Sequence, residues 1–132
     1  GQVPLYGDGQ NVRDWCHVDD NCAAVDLVLH EGVTGEIYNI GSGNELTNRH
    51  LTERLLALCG AGEDRIRMVD DRPGHDRRYS VDTTRIGSLG WAPSRDLDAG
   101  LEETVGWYRD HPEWWEPELI GNPLPSENRN AT

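Results

Sequence analysis

The sequence predicts a mixed α/β fold, on three observations. Short segments rich in β-branched and aromatic residues, "VPLY", "EIYNIG" and "IRMV", recur along the chain. Between them lie stretches with apolar residues three and four apart, the period of a helix packed on one face. Gly-, Asp- and Asn-rich punctuation separates the two kinds, so the order reads strands, helix, strand, helix, strand, helices.

Each element has its own local reason. Residues 3–6 are extended, "GDGQN" turns the chain, and "VRDW" is a second short extended piece. Asp19 or Asp20 is suited to cap a first helix, whose Cys22, Val25, Val28 and Leu29 make an apolar stripe ended by "HEGVTG". Residues 36–41, "EIYNIG", predict a strand with neighbours on both sides. Thr47 caps a second helix carrying Leu51, Leu55 and Leu58, which "GAGED" breaks. "IRMV" at 66–69 is a strand feeding "DDRPGHDRRY". One or two helical turns follow, then a "GWAPS" loop and a third helix over Leu97, Leu101, Val105 and Tyr108, capped by Asp96. Residues 1–116 read as one folded portion, and 117–132, rich in Pro, Asn and charge, as a flexible tail.

Composition narrows the function. Apolar residues make up 36% of the 132, which predicts a small core, or one shared with a partner. A net charge of −12 argues against nucleic acid, whose phosphates need a broad basic face. No apolar run is long enough to span a membrane. All twelve basic residues are Arg, so within this chain no lysine serves a Schiff base, a P-loop or a Tyr–Lys pair. Three cysteines without Cys-x-x-Cys spacing read as reduced thiols of a cytoplasmic protein.

In this acidic chain, "RPGHDRRY" (72–79) gathers three arginines, a histidine and a tyrosine around a Pro-Gly turn. Arginine offers a planar fork of donors that matches phosphate oxygens. The loop reads either as an anion cradle or as a surface loop whose Arg77 and Arg78 pair with Asp71, Asp76 or a neighbouring helix. Arg13 is likewise either a second anion ligand or a partner for Asp14 or Trp15. Asn39 ends the 36–41 segment before a Gly-rich turn, a place where α/β folds put ligand groups. The histidines have no metal spacing, and no G-x-S-x-G elbow or G-x-G-x-x-G loop occurs. From its residues alone the chain is an anion-binding module without visible catalytic residues or a metal site.

In order, "VPLYGDGQNVRDW", "GEIYNIGSGNE", "DRPGHDRRYSVDTTRI", "LGWAPS" and "GLEETVGWY" resemble the C-terminal portion of the dTDP-glucose 4,6-dehydratases. These are extended short-chain dehydrogenases/reductases. The resemblance implies the substrate-binding portion of a Rossmann-type α/β enzyme whose N-terminal NAD-binding part is absent from this chain. It implies an NAD-dependent conversion of dTDP-glucose to dTDP-4-keto-6-deoxyglucose by hydride removal at C4, loss of water across C5 and C6, and hydride return to C6. This stretch alone would be inactive. Carried over residue by residue, Asp71, Arg72, Pro73, Gly74 and His75 form the diphosphate loop, with Arg72 and His75 the main ligands. Arg13 and Asn39 lie on the same side, and Val3, Pro4, Leu5 and Tyr6 along the thymine and its sugar. Arg77, Arg78 and Tyr79 take a mostly structural role. The implied partners are a dTDP-sugar, the N-terminal Rossmann part in the same or another chain, and a second copy in a homodimer.

The sequence departs from the family pattern at Cys16-His17, where an apolar and an aromatic residue are usual, at Asn21, and at "GSG". Two other readings stay open: a stand-alone, non-catalytic nucleotide-sugar-binding module, and a dehydratase or epimerase acting on another nucleotide sugar.

Overall fold

The computed structural model describes residues 1–116; the tail expected at 117–132 lies outside the described residues. Strands β1 (Val3–Tyr6) and β4 (Ile66–Val69) pair in parallel, in a register that sets Val3 against Ile66 and Tyr6 against Val69. A parallel pair needs a long crossover, and the chain between holds β2 (Val12–Asp14), α1 (Val18–Glu31), β3 (Glu45–Thr47) and α2 (Asn48–Leu58). Strands β2 and β3 form a second, antiparallel pair. The short α3 (Thr84–Ser88) and the longer α4 (Leu97–Asp110) complete the order.

Two helix starts are capped as the sequence predicts. The Thr47 hydroxyl accepts the His50 N–H, and Asp96 accepts those of Asp98 and Ala99. The first helix differs. His17 is its cap, its ring nitrogen accepting the Asp19 N–H. Asp20 is instead buried, and its carboxylate accepts the Ser94 N–H and hydroxyl at 3.0 and 2.7 Å and the Arg95 N–H at 3.1 Å. With Trp91 Nε1 donating to the Asp20 carbonyl, this locks the "GWAPS" loop onto α1.

The core is small, as expected: among the described residues the buried apolar ones are Leu5, Ala24, Leu51, Leu56 and Ile86. Helices α2 and α4 lie side by side, joined by an Arg54–Asp98 ion pair of 2.6 Å. The stripe expected to bury α1 does not. Cys22 is exposed, Val25 is 53% and Leu29 78% exposed, and the helix buries Asp20 and Ala24 instead. Residues 36–41 are not a strand, which corrects the expectation for "EIYNIG". The reason is physical: a strand is stabilised by ladder partners, and among the described residues this backbone meets a turn at Glu36 and the Arg85 side chain at Ile37. Arg85 donates to the Ile37 carbonyl, and Ile37 is 77% exposed.

The turn after β1 depends on Gly9, whose φ is +71° and where an added Cβ would lie 2.6 Å from Leu5 Cδ2. Gly9→Ala is expected to destabilise the fold by about 1–3 kcal/mol, from left-handed backbone strain and displacement of core Leu5. A shift of the urea midpoint at unchanged slope measures it.

Candidate anion-binding site

The cationic loop is placed by backbone pairing. It continues from β4, and the Gly7 N–H donates to the Val69 carbonyl, so the end of β1 adjoins its start. Further on, Val12 N–H donates to Arg77 O and Tyr79 N–H to Val12 O, a parallel bridge that ties the loop's far end to β2. Pro73 and Gly74 form the turn between.

The three arginines of the loop then separate. Arg77 donates to both oxygens of Asp8 at 2.8 and 3.0 Å. Arg78 forms a two-pronged pair with Glu45, both contacts 2.8 Å, and holds that carboxylate below the usual range. Both partners differ from the Asp71, Asp76 or helix expected from the sequence. Among the described residues the exposed Arg72 guanidinium makes no hydrogen bond or ion pair; only its backbone N–H is used, to Asp71.

Asp71 and His75 act on each other. His75 Nδ1–H donates to Asp71 Oδ1 at 2.6 Å, and this bond is the largest cause holding the Asp71 carboxyl below its ordinary value; the Arg72 N–H adds to it. The His75 side chain is only 6% exposed, with the edge of Tyr6 against it. Of the β1 residues, Leu5 is buried in the core, while Val3, Pro4 and Tyr6 keep accessible surface.

Arg13 pairs with neither Asp14 nor Trp15. Its Nη1 donates to Val12 O at 2.6 Å and its Nη2 to Asp76 O at 3.0 Å, and its plane lies over Tyr79. Asp14 instead gathers Ser42 and Gly43. The Asp76 carboxylate, which accepts the Tyr79 phenol, raises that phenol above its ordinary value, and Arg13 and Arg72 oppose the shift more weakly. Asn39 is less central: its amide donates to Asp82 O, one residue from Ile40 in the wall of the Arg13 cleft.

Other chemistry is weaker. His17, Asp19 and Glu103 lie close enough to suggest a metal, but the Arg95 guanidinium bridges Asp19 and Glu103 and supplies the positive charge. The structure also speaks to NAD. Dinucleotide loops run from a strand through glycines directly into a helix N-terminus. Gly7-x-Gly9 leads to β2 with Gly9 against Leu5, and Gly41-x-Gly43 leads to β3 with Gly41 against Asp14. These residues do not fit an NAD cradle.

A parallel strand pair delivers a guanidinium-bearing loop whose far end is bridged to the strand of a second arginine, an α/β arrangement suited to an anion. The sequence profile of the family described as GDP-mannose 4,6 dehydratase matches residues 1–104, and the chain belongs to that family, among the extended short-chain dehydrogenases/reductases. It is 55% identical over 128 residues to a dTDP-glucose 4,6-dehydratase of Streptomyces niveus, covering 92% of this chain and 38% of that protein. The crystal structure of DesIV, a dTDP-glucose 4,6-dehydratase from Streptomyces venezuelae with NAD bound, superimposes with a TM-score of 0.86 at 53% identity, over 89% of this chain and 37% of that one. The UDP-glucose 4-epimerase of Thermotoga maritima, solved with UDP-glucose, gives 0.76 at 34% identity, over 83% and 35%. The chain thus spans well under half the length of the relatives it matches. Its α/β topology is that of the extended family.

Sequence reasoning missed the Arg13–Tyr79–Asp76 contact. The "RDW" and "RRY" segments were visible, but their adjacency depends on a bridge between residues 12 and 78.

Proposed function

We propose that this chain is the dTDP-sugar-binding portion of a dTDP-glucose 4,6-dehydratase, an NAD-dependent lyase that makes dTDP-4-keto-6-deoxyglucose. The observation that carries the reading is the sorting of the arginines: Arg77 and Arg78 are neutralised by Asp8 and Glu45, while among the described residues the Arg72 guanidinium has no such partner, in a loop whose far end is bridged to the strand that carries Arg13. Two converging guanidinium groups suit a diphosphate, and the ligand feels this local cluster more than the net charge of the chain. In this reading Arg72 and Arg13 contact the diphosphate directly, with His75 reaching it through Nε2, the nitrogen its Asp71 bond does not use. Asp71, Pro73 and Gly74 shape the loop, Asn39 lies at the margin, and Val3, Pro4, Leu5 and Tyr6 form the strand along the nucleoside, Leu5 through its backbone.

NAD is assigned to a part of the enzyme outside this chain, together with the acid–base residues of the elimination. The same upstream part is the proposed cover for the exposed α1 stripe of Val18, Cys22, Val25 and Leu29, at i, i+4, i+7 and i+11, and for Ile37. It would also supply ladder partners to residues 36–41. A homodimer and a cytoplasmic location complete the reading. The second is supported by three unpaired cysteines, and no described helix is long and apolar enough to cross a membrane.

The test is a dTDP titration of the full-length protein with UDP and GDP as competitors, alongside turnover of dTDP-glucose. Preference for dTDP and formation of the 4-keto-6-deoxy product are expected. Preference for UDP or GDP would move the assignment to another nucleotide sugar. Tight dTDP binding by a native product of 132 residues, without turnover, would make it a stand-alone binding module.

A further inference from the structure

We propose that Tyr79 is a positioning residue: it holds the Arg13 guanidinium in place for the diphosphate. The inference rests on the reading of Arg13 as a phosphate ligand and adds a residue to that site.

The geometry begins with the backbone. Val12 and Arg78 are bridged in parallel, so the next residue on each strand, Arg13 and Tyr79, emerges on the same side. The guanidinium carbon of Arg13 then sits 4.4 Å from the centre of the Tyr79 ring, well inside cation–π range. Neither partner is loosely held. The Tyr79 phenol donates to the Asp76 carboxylate, and its N–H to Val12 O at 3.2 Å, so the ring is tied at both ends. The Asp76 carbonyl takes Arg13 Nη2 and Asn11 Nδ2, and Asn11 is buried.

Asp76 therefore fixes ring and guanidinium with one residue. Of the five N–H donors on Arg13, two are spent on Val12 and Asp76, which leaves three for a ligand. Arg13 and Tyr79 both line a cleft of about 230 Å³ whose walls include Ile40, Gly41, Ser80 and Val81.

Two physical effects follow. A free arginine loses rotamer entropy when it closes on an anion, and one already stacked and tethered loses less. The second effect is electrostatic. Asp76 places a carboxylate near a site for a dianion, and the phenolic O–H bonded to it disperses that charge. The same hydrogen bond raises the Tyr79 phenol above its ordinary value, so the donor stays protonated at neutral pH.

The experiment is a double-mutant cycle in the full-length protein, with Arg13→Ala, Tyr79→Leu and the pair, read as Kd for dTDP and for thymidine, which lacks phosphate. Tyr79→Leu is expected to weaken dTDP about 3- to 20-fold and to leave thymidine unchanged. Tyr79→Phe keeps the ring and should restore affinity to within about threefold. In the Arg13→Ala background, Tyr79→Leu should cost less than about twofold.

An unchanged dTDP affinity in Tyr79→Leu, an equal loss in the Arg13→Ala background, or an equal loss for thymidine overturns the inference. Tyr79 is half exposed, so the core is untouched; Tyr79→Gln repeats the cycle if the leucine variant aggregates. A normal dTDP affinity in Arg13→Ala would remove Arg13 from the site and this inference with it. A weakened Arg13→Ala with an inert Tyr79→Leu removes the inference alone.

Discussion

Arg72→Ala in the full-length protein is expected to weaken dTDP binding by about 10- to 150-fold, or roughly 1.5–3 kcal/mol, the range for a charge-assisted bond to a partly desolvated phosphate. The size follows from what Arg72 does without ligand. Among the described residues its guanidinium has no carboxylate partner, so its removal strands no other charge and the loss falls on binding. Arg77→Ala is the matched control. It removes the same charge from the same loop, but from an exposed pair with Asp8, so its effect should stay under about 1 kcal/mol. Calorimetric titration of both variants decides it. Equal affinities for Arg72→Ala and the unchanged protein would make the loop a structural device. Equal losses in the two variants would mean that only net loop charge matters, and both losses should then shrink as salt rises.

Asp20→Ala is expected to be the largest stability loss, about 2–4 kcal/mol. It would leave the Ser94 and Arg95 N–H groups and the Ser94 hydroxyl without the acceptor of their part-buried hydrogen bonds and release the loop that Asp20 holds onto α1. Asp26→Ala, on the same helix but exposed beside His30, should change stability by no more than about 0.5 kcal/mol. Urea unfolding of the two variants, compared at constant slope, provides the measurement. The effect also carries a pH signature. The Ser94 hydroxyl, foremost among its donors, lowers the Asp20 carboxyl from 3.8. A group with a depressed folded value contributes fully above its unfolded value and loses that contribution as pH falls through the folded one. Acid should therefore narrow the gap between Asp20→Ala and the unchanged protein, and a gap constant down to the acid range would contradict the assignment.

Elements that rest on local interactions were legible in the sequence. The Thr47 and Asp96 caps and the Pro73–Gly74 turn depend on residues within a few positions of one another, and strands 3–6 and 66–69 were legible from their local composition although their ladder partners lie more than 60 residues apart. Two local readings failed for one reason. The α1 stripe and residues 36–41 carry the pattern of buried elements, but burial and ladder bonds come from what packs against them, and among the described residues Val25, Leu29 and Ile37 stay exposed and residues 36–41 form no strand. The first helix cap failed differently: Asp20 was claimed by the loop at Ser94, 74 residues away.

By itself, then, the sequence determined the α/β order of elements, the concentration of arginine after the last strand, and a family resemblance that the comparisons bear out. Only the tertiary structure decided which of those arginines stay available. Asp8 lies 69 residues from Arg77 and Glu45 lies 33 from Arg78, and the bridge between Val12 and Arg78 sets Tyr79 beneath Arg13. Charge is a property of composition; whether a charge is already neutralised depends on which distant carboxylate the fold carries to within 3 Å of it.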